Sequence, residues 1–296
     1  MIATDIQTIT NPFPGLRPFR TDEAHLFFGR EGQVDEVLDK LEENRFVAVL
    51  GASGSGKSSL MYCGLIPSLY GGFMTEAGSN WRIVVTRPGI SPIKNLNKAT
   101  LSTDRDWENL SKSEQDVKIA SGLATLRSSS LGLVEFIEQQ QKEEDEHFLI
   151  LVDQFEELFR FSKIANDTAS INESFAFVKL LLEAIKQSNV PIYIVMTMRS
   201  DYIGDCAYYP FLTQLINDSH YLIPKMTRAQ KKSAILGPAA IAGGVFSSRL
   251  LQQVLNDIGD KQDDLPILQH ALMRTWEVWQ TNKDSKELDI FHYESI

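Results

Sequence analysis

The chain has few of the residues that build disulfide frameworks and metal clusters. Its 296 residues contain two cysteines, Cys63 and Cys206, and five histidines. The cysteines lack metal or redox spacing and the histidines are scattered, so neither a disulfide scaffold nor a zinc-type site is expected. We expect both thiols to be reduced in a cytoplasmic protein.

An excess of basic residues and a long apolar run are also missing. The formal net charge is −10, which argues against a constitutive nucleic-acid surface because such surfaces usually carry a basic excess. No apolar stretch approaches the roughly 18 residues that a membrane span needs. The N-terminal sequence MIATDIQTIT lacks the basic-then-apolar pattern of a signal peptide. We therefore expect no membrane partner.

Short apolar runs alternate with helical patterns along the first three quarters of the chain. A composition of 43% hydrophobic and 23% charged residues is that of a globular protein with one large domain or two ordinary ones. The alternation predicts an α/β fold, a parallel sheet covered by helices on both faces. Predicted strands are Phe46–Leu50, Arg82–Thr86, Phe148–Val152, Ile192–Thr197 and Tyr221–Ile223.

Helices are predicted where apolar residues recur with a period near 3.6. Residues 87–115 are polar and are expected to be irregular, and the acidic run 142–146 is expected to be a solvated turn. Predicted helices are Glu31–Glu43, Ser58–Leu69 with a stop near Pro67, part of Val117–Gln141, and Phe175–Gln187.

After Pro224 the pattern predicts helices alone, which together resemble a lid. Thr227 and Gln230 form a capping box for a helix that we expect to end at Gly237-Pro238. Ser247 or Ser248 is expected to cap a second helix that stops at Gly259. Asp264 is expected to cap a third, with Pro266 in its first turn. We expect three parts: residues 1–45, a core of 46–224, and a helical lid of 225–296.

The most informative motif is the sequence GASGSGKS at residues 51–58. It matches G-x-x-x-x-G-K-S, the phosphate-binding loop of P-loop NTPases, and it stands between a predicted strand and a predicted helix. Backbone N–H groups of such a loop bind phosphate oxygens, Lys57 reaches the β/γ-phosphates, and Ser58 supplies a hydroxyl ligand for Mg²⁺. We predict nucleotide contacts for Gly51, Ser53, Gly54, Ser55, Gly56, Lys57, Ser58 and Ser59.

Acidic residues follow the strand Phe148–Val152. Asp153 is predicted to hold the Mg²⁺ shell. If the chain turns helical there, offsets of three and four place Glu156 and Glu157 on the same side as Asp153. One of the two glutamates is then the candidate that orients or deprotonates the attacking water. A surface acidic turn is the alternative.

Arg199 follows the predicted strand Ile192–Thr197, where parallel sheets bind ligands at their carboxyl ends. A guanidinium at this place can grip a γ-phosphate and report its loss. An arginine in a structural ion pair is the alternative.

These motifs together resemble the STAND class of P-loop NTPases, and specifically the novel STAND NTPase 1 family, over nearly the whole chain. The matching segments, in the family's order, are NPFPGLRPF at 11–19, FFGRE at 27–31, the loop at 51–58 with GLIP at 64–67, VDQFEE at 152–157, MRSDY at 198–202 and LPILQHAL at 265–272.

The resemblance implies a regulatory switch driven by ATP. It places Gly29 and Arg30 near the adenine, Pro266 near the base, and ATP or ADP with Mg²⁺ as cofactors. ADP would hold a closed monomer, and ATP would open the lid and favour self-association that activates an effector. A sensor or effector domain is expected in the same polypeptide or in a partner protein. We also expect the native chain to continue past Ile296, because the family's winged-helix unit would come next.

The leading hypothesis is therefore a slowly hydrolysing STAND-type ATPase in signal transduction, with bacterial defence as one setting. One alternative is an AAA-like, DNA-associated or processive ATPase, although that class places an acid where Gln154 stands. Another is an ATP-binding scaffold without significant turnover. A GTPase is disfavoured because Asn97-Lys98-Ala99-Thr100 lacks the final Asp of its base reader. A small-molecule kinase is disfavoured because no basic cluster for an acceptor stands out.

Overall fold

A five-stranded, all-parallel sheet organises the structure, a computed structural model that describes residues 11–75, 77–143, 145–165, 167–187, 190–258, 265–282 and 286–296. The strand order is β2-β3-β4-β1-β5. The strands are β1 (Phe46–Gly51), β2 (Trp81–Thr86), β3 (His147–Val152), β4 (Ile192–Arg199) and β5 (His220–Leu222). The predicted α/β class is confirmed.

The strands form where continuous apolar runs need burial on both faces. Every residue of β1 is buried, and β3 and β4 are buried over nearly all of their length. All five predicted strands are confirmed, with ends that differ by one or two residues. Arg199 ends β4 rather than following it, and Gly51 ends β1 and is its register partner.

Helices connect the strands and form most of the C-terminal part. They are α1 (Gln33–Asn44), α2 (Lys57–Leu60), α3 (Ile66–Tyr70), α4 (Pro92–Leu101), α5 (Lys112–Ser128), α6 (Gly132–Gln140), α7 (Glu157–Ala165), α8 (Thr168–Lys186), α9 (Pro210–Asp218), α10 (Arg228–Ile241), α11 (Ser248–Asp257), α12 (Leu265–Thr281) and α13 (Ile290–Glu294).

The chain divides into two compact units, each made of separate stretches of sequence. The first unit comprises residues 1–34, 52–67 and 224–296, and the second comprises residues 35–51 and 68–223. The second unit contains the sheet, and its core joins the inward side chains of the strands with α4, α6 and α8. The first unit has its own core around Trp276, which packs edge-on against Phe13.

The region 87–115, expected to be irregular, contains α4 and the start of α5. Ile93, Leu96 and Leu101 supply the buried face of α4, but Asn97 and Thr100 are buried on it too. The Asn97 side-chain nitrogen donates a hydrogen bond to the Ile119 carbonyl at 2.7 Å, whereas its Oδ1 has no hydrogen-bond partner among the described residues. The polar composition hid the helix because two of its buried positions are polar residues.

Two prolines do not end their helices as expected. The helix after the phosphate loop continues through Pro67 to Tyr70, with a π-helical turn at Met61–Leu65. That wider turn comes just before Pro67, which has no N–H to donate to the preceding turn. In α10 the helix continues past Pro238 to Ile241, with Ile235 and Pro238 buried.

Several helix boundaries also differ from the predictions. α8 begins at Thr168, capped by the Asp167 side chain, rather than at Phe175. The capping box at Thr227 is confirmed, and Ser247 rather than Ser248 caps α11. The predicted stop at Gly259 and cap at Asp264 lie outside the described residues.

One side chain of the acidic run 142–146 is not solvated as predicted. Glu146 is largely buried and binds Arg82 through both carboxylate oxygens, at 2.9 and 2.8 Å. In the part of the chain that the structure describes, no helix has both the length and the apolar character to cross a membrane.

Substitution of Gly237 by alanine tests the packing of α10. Alanine favours helices, but a Cβ here would lie 2.5 Å from ring atoms of Phe28. We expect Gly237→Ala to lower the free energy of unfolding by about 1–3 kcal/mol, as overpacking does. Urea unfolding measures the change. Gly204→Ala is the control, because a Cβ there has no neighbour within 4 Å. Equal stability of the two variants would contradict this account.

Candidate functional site

The phosphate-binding loop has a backbone that requires glycine at two positions. Gly54 and Gly56 have φ angles of +68° and +90°, which side chains with a Cβ rarely adopt. A Cβ on Gly56 would meet no atom within 4 Å, so conformation rather than space demands the glycine. α2 starts at the next residue, Lys57, and its first N–H groups are not used within the helix. The loop is therefore preformed for an anion.

Side chains of the loop are also held in defined places. Lys57 is buried, and its Nζ donates to the Ala52 carbonyl at 2.7 Å. The Ser59 hydroxyl accepts a hydrogen bond from the Phe19 N–H at 3.2 Å, which fixes the N-terminal segment to α2. Ser55 is buried, and its Oγ has no hydrogen-bond partner among the described residues.

Arg30 connects the loop with the start of the helical segment. Its guanidinium is buried and donates to the Ser55 carbonyl from Nη2 at 2.8 Å and to the Pro224 carbonyl from Nη1 at 2.8 Å. Gly29 has a φ of +86°, and a Cβ there would clash with the Gln230 carbonyl oxygen. The glycine therefore permits close packing on the first turn of α10.

Asp153 lies at the carboxyl end of β3 and is fully buried. Its Oδ1 accepts a hydrogen bond from the Thr197 hydroxyl at 2.7 Å. Its Oδ2 accepts from Arg87, from Nη2 at 3.0 Å and from Nε at 3.3 Å. The Thr197 hydroxyl also accepts a hydrogen bond from the Gln154 N–H at 3.0 Å. One hydroxyl therefore binds both Asp153 and Gln154, the two residues that begin the turn.

The prediction that Glu156 and Glu157 lie on the same side of a helix as Asp153 is wrong. The chain turns through Gln154, whose φ is +57°, and α7 begins only at Glu157. Glu156 is buried and accepts from the Arg199 N–H of β4 at 3.3 Å. Glu157 instead accepts from the Gly89 N–H, after β2, at 3.1 Å. They therefore face strands on opposite sides of β3.

Arg199 is held in an ion pair in this structure. Nε and Nη2 donate to the two oxygens of Asp201 at 3.0 and 2.7 Å, and the guanidinium lies 5.6 Å from the Tyr202 ring centroid. The hydrogen bond with Asp201 raises the pKa of Arg199 above its ordinary value. Both side chains are substantially exposed, so the pair contributes little to stability and can open.

Sequence reasoning missed Arg87 and Thr197. Arg87 directly follows β2 and Thr197 lies two residues before the end of β4, and these two strands are the neighbours of β3. That position is the signal that identified Asp153, and it could have identified these two residues once the strand order was known.

Burial raises the pKa of Cys63 and of Cys206 to about 12, so both thiols are protonated at neutral pH.

Comparison with known families decides the class. A family model described as Novel STAND NTPase 1 matches residues 12–296. The chain belongs to this family. The resemblance drawn from the sequence motifs is therefore confirmed. No curated protein sequence matches the chain.

Solved structures with this fold are distant in sequence. The Orc1 protein of Aeropyrum pernix in complex with DNA has a TM-score of 0.59 at 12% identity, over 91% of this chain and 64% of that one. The ADP form of the Orc2 protein of the same organism has a TM-score of 0.59 at 14% identity, over 95% and 68%. A Walker-type ATPase of Pyrococcus abyssi has a TM-score of 0.56 at 15% identity, over 91% and 71%. This chain thus spans 64% of the Orc1 length, and the likeness shows the P-loop NTPase fold alone.

The residues of this Novel STAND NTPase 1 chain fit a nucleotide with Mg²⁺. The buried, unpartnered Ser55 hydroxyl and the preformed loop suit phosphate oxygens. Each unit carries a hard oxygen group of the kind that Mg²⁺ prefers, the Ser58 hydroxyl in the first unit and the Asp153 carboxylate in the second. Among the described residues no group of three His, Cys, Asp or Glu side chains could hold a metal alone. A single carboxylate such as that of Asp153 still fits Mg²⁺, because proteins usually bind this ion through one or two carboxylates plus phosphates.

Replacement of Thr197 by valine tests the turn after β3. The change removes the donor to Asp153 and the acceptor of the Gln154 N–H, both in a buried place. We expect the free energy of unfolding to fall by about 1–3 kcal/mol. Urea unfolding measures it, with the exposed Thr168→Val as the matched control, expected within about 0.5 kcal/mol of the parent. If both variants unfold like the parent, the hydroxyl does not hold the turn.

Proposed function

We propose that this chain is an ATP-binding, slowly hydrolysing switch of the STAND type, in which the bound nucleotide sets the state of the helical segment 225–296. The observation that carries the proposal is the buried guanidinium of Arg30. It binds the Ser55 carbonyl of the phosphate loop and the Pro224 carbonyl, just before the helical segment, each at 2.8 Å. A change in loop conformation therefore alters a hydrogen bond at the base of that segment.

The loop binds the phosphates through its N–H groups, and Lys57 adds a positive charge to the β/γ-phosphates. Gly29 and Pro266 are proposed to lie on the base side, together with the backbone of Arg30. Ser58 and Asp153 are the residues that would hold Mg²⁺, and the ion would neutralise charge on the phosphates. We propose a functional division into residues 1–45, 46–224 and 225–296, in which the last part acts as a lid.

Glu156 is the better candidate for the general base. It binds the Arg199 N–H at the end of β4, and Arg199 is the register partner of Gly51, where the phosphate loop begins. Glu157 instead faces the end of β2, which is separated from β1 by two intervening strands. We propose that Arg199 leaves Asp201 to bind the γ-phosphate, because guanidinium groups form strong paired contacts with phosphate.

The output of the switch is proposed to be self-association that activates an effector or sensor domain, in the same polypeptide or in a partner, in the cytoplasm. The alternative is an AAA-like, DNA-associated ATPase, which the fold similarity to an Orc1 protein in complex with DNA favours. The net charge of −10 counts against it. Strong stimulation of ATP turnover by duplex DNA would favour this alternative.

Lys57→Ala tests nucleotide binding. Loss of the buried ammonium removes a charge-assisted contact with phosphate, so we expect the affinity for ATP and ADP to fall about 10- to 100-fold. Isothermal titration calorimetry with each nucleotide measures the change. Lys232→Ala, at an exposed position of α10, is the matched control and should bind like the parent. Unchanged affinity in Lys57→Ala would refute the phosphate-binding role.

Glu156→Gln tests the chemistry apart from binding. A positioned general base contributes about 10²- to 10⁴-fold, so ATP turnover should fall at least about 100-fold while ATP affinity stays within about threefold. Phosphate release under single-turnover conditions measures the rate.

Three further variants separate the acids. The exposed Glu138→Gln should turn over ATP like the parent. Glu157→Gln should lose less activity than Glu156→Gln. If the double change Glu156→Gln with Glu157→Gln leaves turnover unaffected, neither acid is catalytic and the chain is an ATP-binding scaffold.

A further inference from the structure

Arg87 compensates the charge of a buried carboxylate that is proposed to serve Mg²⁺. Asp153 is 0% exposed, and both of its oxygens accept hydrogen bonds. Thr197 is a neutral donor to Oδ1, whereas Arg87 brings a positive charge to Oδ2. A buried charge without compensation is costly, so the guanidinium stabilises the carboxylate in this conformation.

The backbone around Arg87 is anchored on two sides. The Asn95 side-chain amide donates to the carbonyls of Arg87 and Pro88 at 3.2 and 2.9 Å. The Glu157 carboxylate accepts from the Gly89 N–H at 3.1 Å. A Cβ on Gly89 would lie 2.8 Å from the Asn95 amide, so this close approach depends on glycine. The segment therefore stays in place when its arginine side chain moves.

The two partners differ sharply in exposure. The Arg87 side chain is 47% exposed, while that of Asp153 is 0% exposed. The guanidinium can therefore leave the carboxylate into solvent without unpacking the core. The carboxylate cannot leave, because Thr197 and the turn through Gln154 hold it.

We propose that Arg87 is a positioning residue whose guanidinium occupies the metal-binding position on Asp153 until the metal binds. This proposal rests on the proposed binding of ATP and Mg²⁺. Mg²⁺ and the guanidinium compete for Oδ2, so each metal-binding event displaces Arg87. The displaced guanidinium adds positive charge at the carboxyl edge of the sheet, where parallel sheets bind their ligands. The metal affinity of the site is thereby set lower than its oxygen ligands alone would make it.

Metal binding to variants at this position tests the proposal. Arg87→Gln removes the competing charge, and Arg87→Lys retains it. The exposed Arg105→Gln, which removes the same charge elsewhere in the second unit, is the matched control. Mn²⁺ serves as the probe, and electron paramagnetic resonance measures free Mn²⁺ in titrations of each protein saturated with ADP. ADP binding without metal is measured separately by calorimetry in EDTA.

We expect the apparent Kd for Mn²⁺ to fall about tenfold in Arg87→Gln, because the metal no longer displaces a cation. Arg87→Lys and Arg105→Gln should stay within about threefold of the parent, because the first retains a competing positive charge and the second leaves Arg87 in place. ADP affinity in EDTA should be unchanged in all four proteins. Unchanged or weaker Mn²⁺ binding in Arg87→Gln overturns the proposal, as does a loss of metal-free ADP affinity in that variant alone. Failure of every protein to bind ADP would instead refute the nucleotide site itself.

A second measurement uses the unmodified protein, in case Arg87→Gln does not fold. The Arg87 Nε–H resonance, assigned by its absence in Arg87→Lys, should exchange slowly with water while the guanidinium binds Asp153. Adding Mg²⁺ to the ADP complex should raise this exchange rate at least about tenfold as the pair opens. An exchange rate that Mg²⁺ leaves unchanged means that the guanidinium stays on Asp153, and the proposal fails.

Discussion

A buried guanidinium, that of Arg30, determines how the first compact unit is organised. A cation that is 5% exposed is tolerated only when its hydrogen bonds are satisfied, and here two of its partners are main-chain carbonyls distant in sequence. One belongs to Ser55 in the phosphate loop and the other to Pro224, just before α10. Because both carbonyls must face one rigid group, the loop and the base of the helical segment cannot change independently. In the proposed switch, the N-terminal segment that carries Arg30 therefore links the phosphate loop to the helical segment.

A second buried charge, that of Asp153, organises the edge of the sheet in the second unit. Its carboxylate accepts hydrogen bonds from Thr197 near the end of β4 and from Arg87 just after β2, the two strands that neighbour β3. Glu156 and Glu157 are placed in the same way. Glu156 accepts a hydrogen bond from the Arg199 N–H at the end of β4, and Glu157 accepts one from the Gly89 N–H after β2. Charge compensation by Arg87 explains why a fully buried acid is stable at this edge.

The sequence predicted the strands well and the connections poorly, for physical reasons. Buried parallel strands are continuous apolar runs, so β1, β3 and β4 are visible in any pattern analysis. α4 was missed because the polar residues Asn97 and Thr100 occupy buried positions. Pro67 and Pro238 were interpreted as helix ends, but both helices continue past them. The phosphate loop was predictable because its spacing is local. Arg87 and the divergence of the two glutamates were not, since both depend on strand order and on the left-handed turn at Gln154.

The central claim is that the nucleotide in the loop sets the state of the helical segment through Arg30. Hydrogen exchange across α10, α11 and α12, compared between the ADP and ATP complexes of the parent and of Arg30→Gln, tests it most directly. The account predicts a difference in protection between the two nucleotides in the parent that disappears in Arg30→Gln while both nucleotides still bind. Equal protection with ADP and ATP in the parent, or a difference that persists in Arg30→Gln, would contradict it.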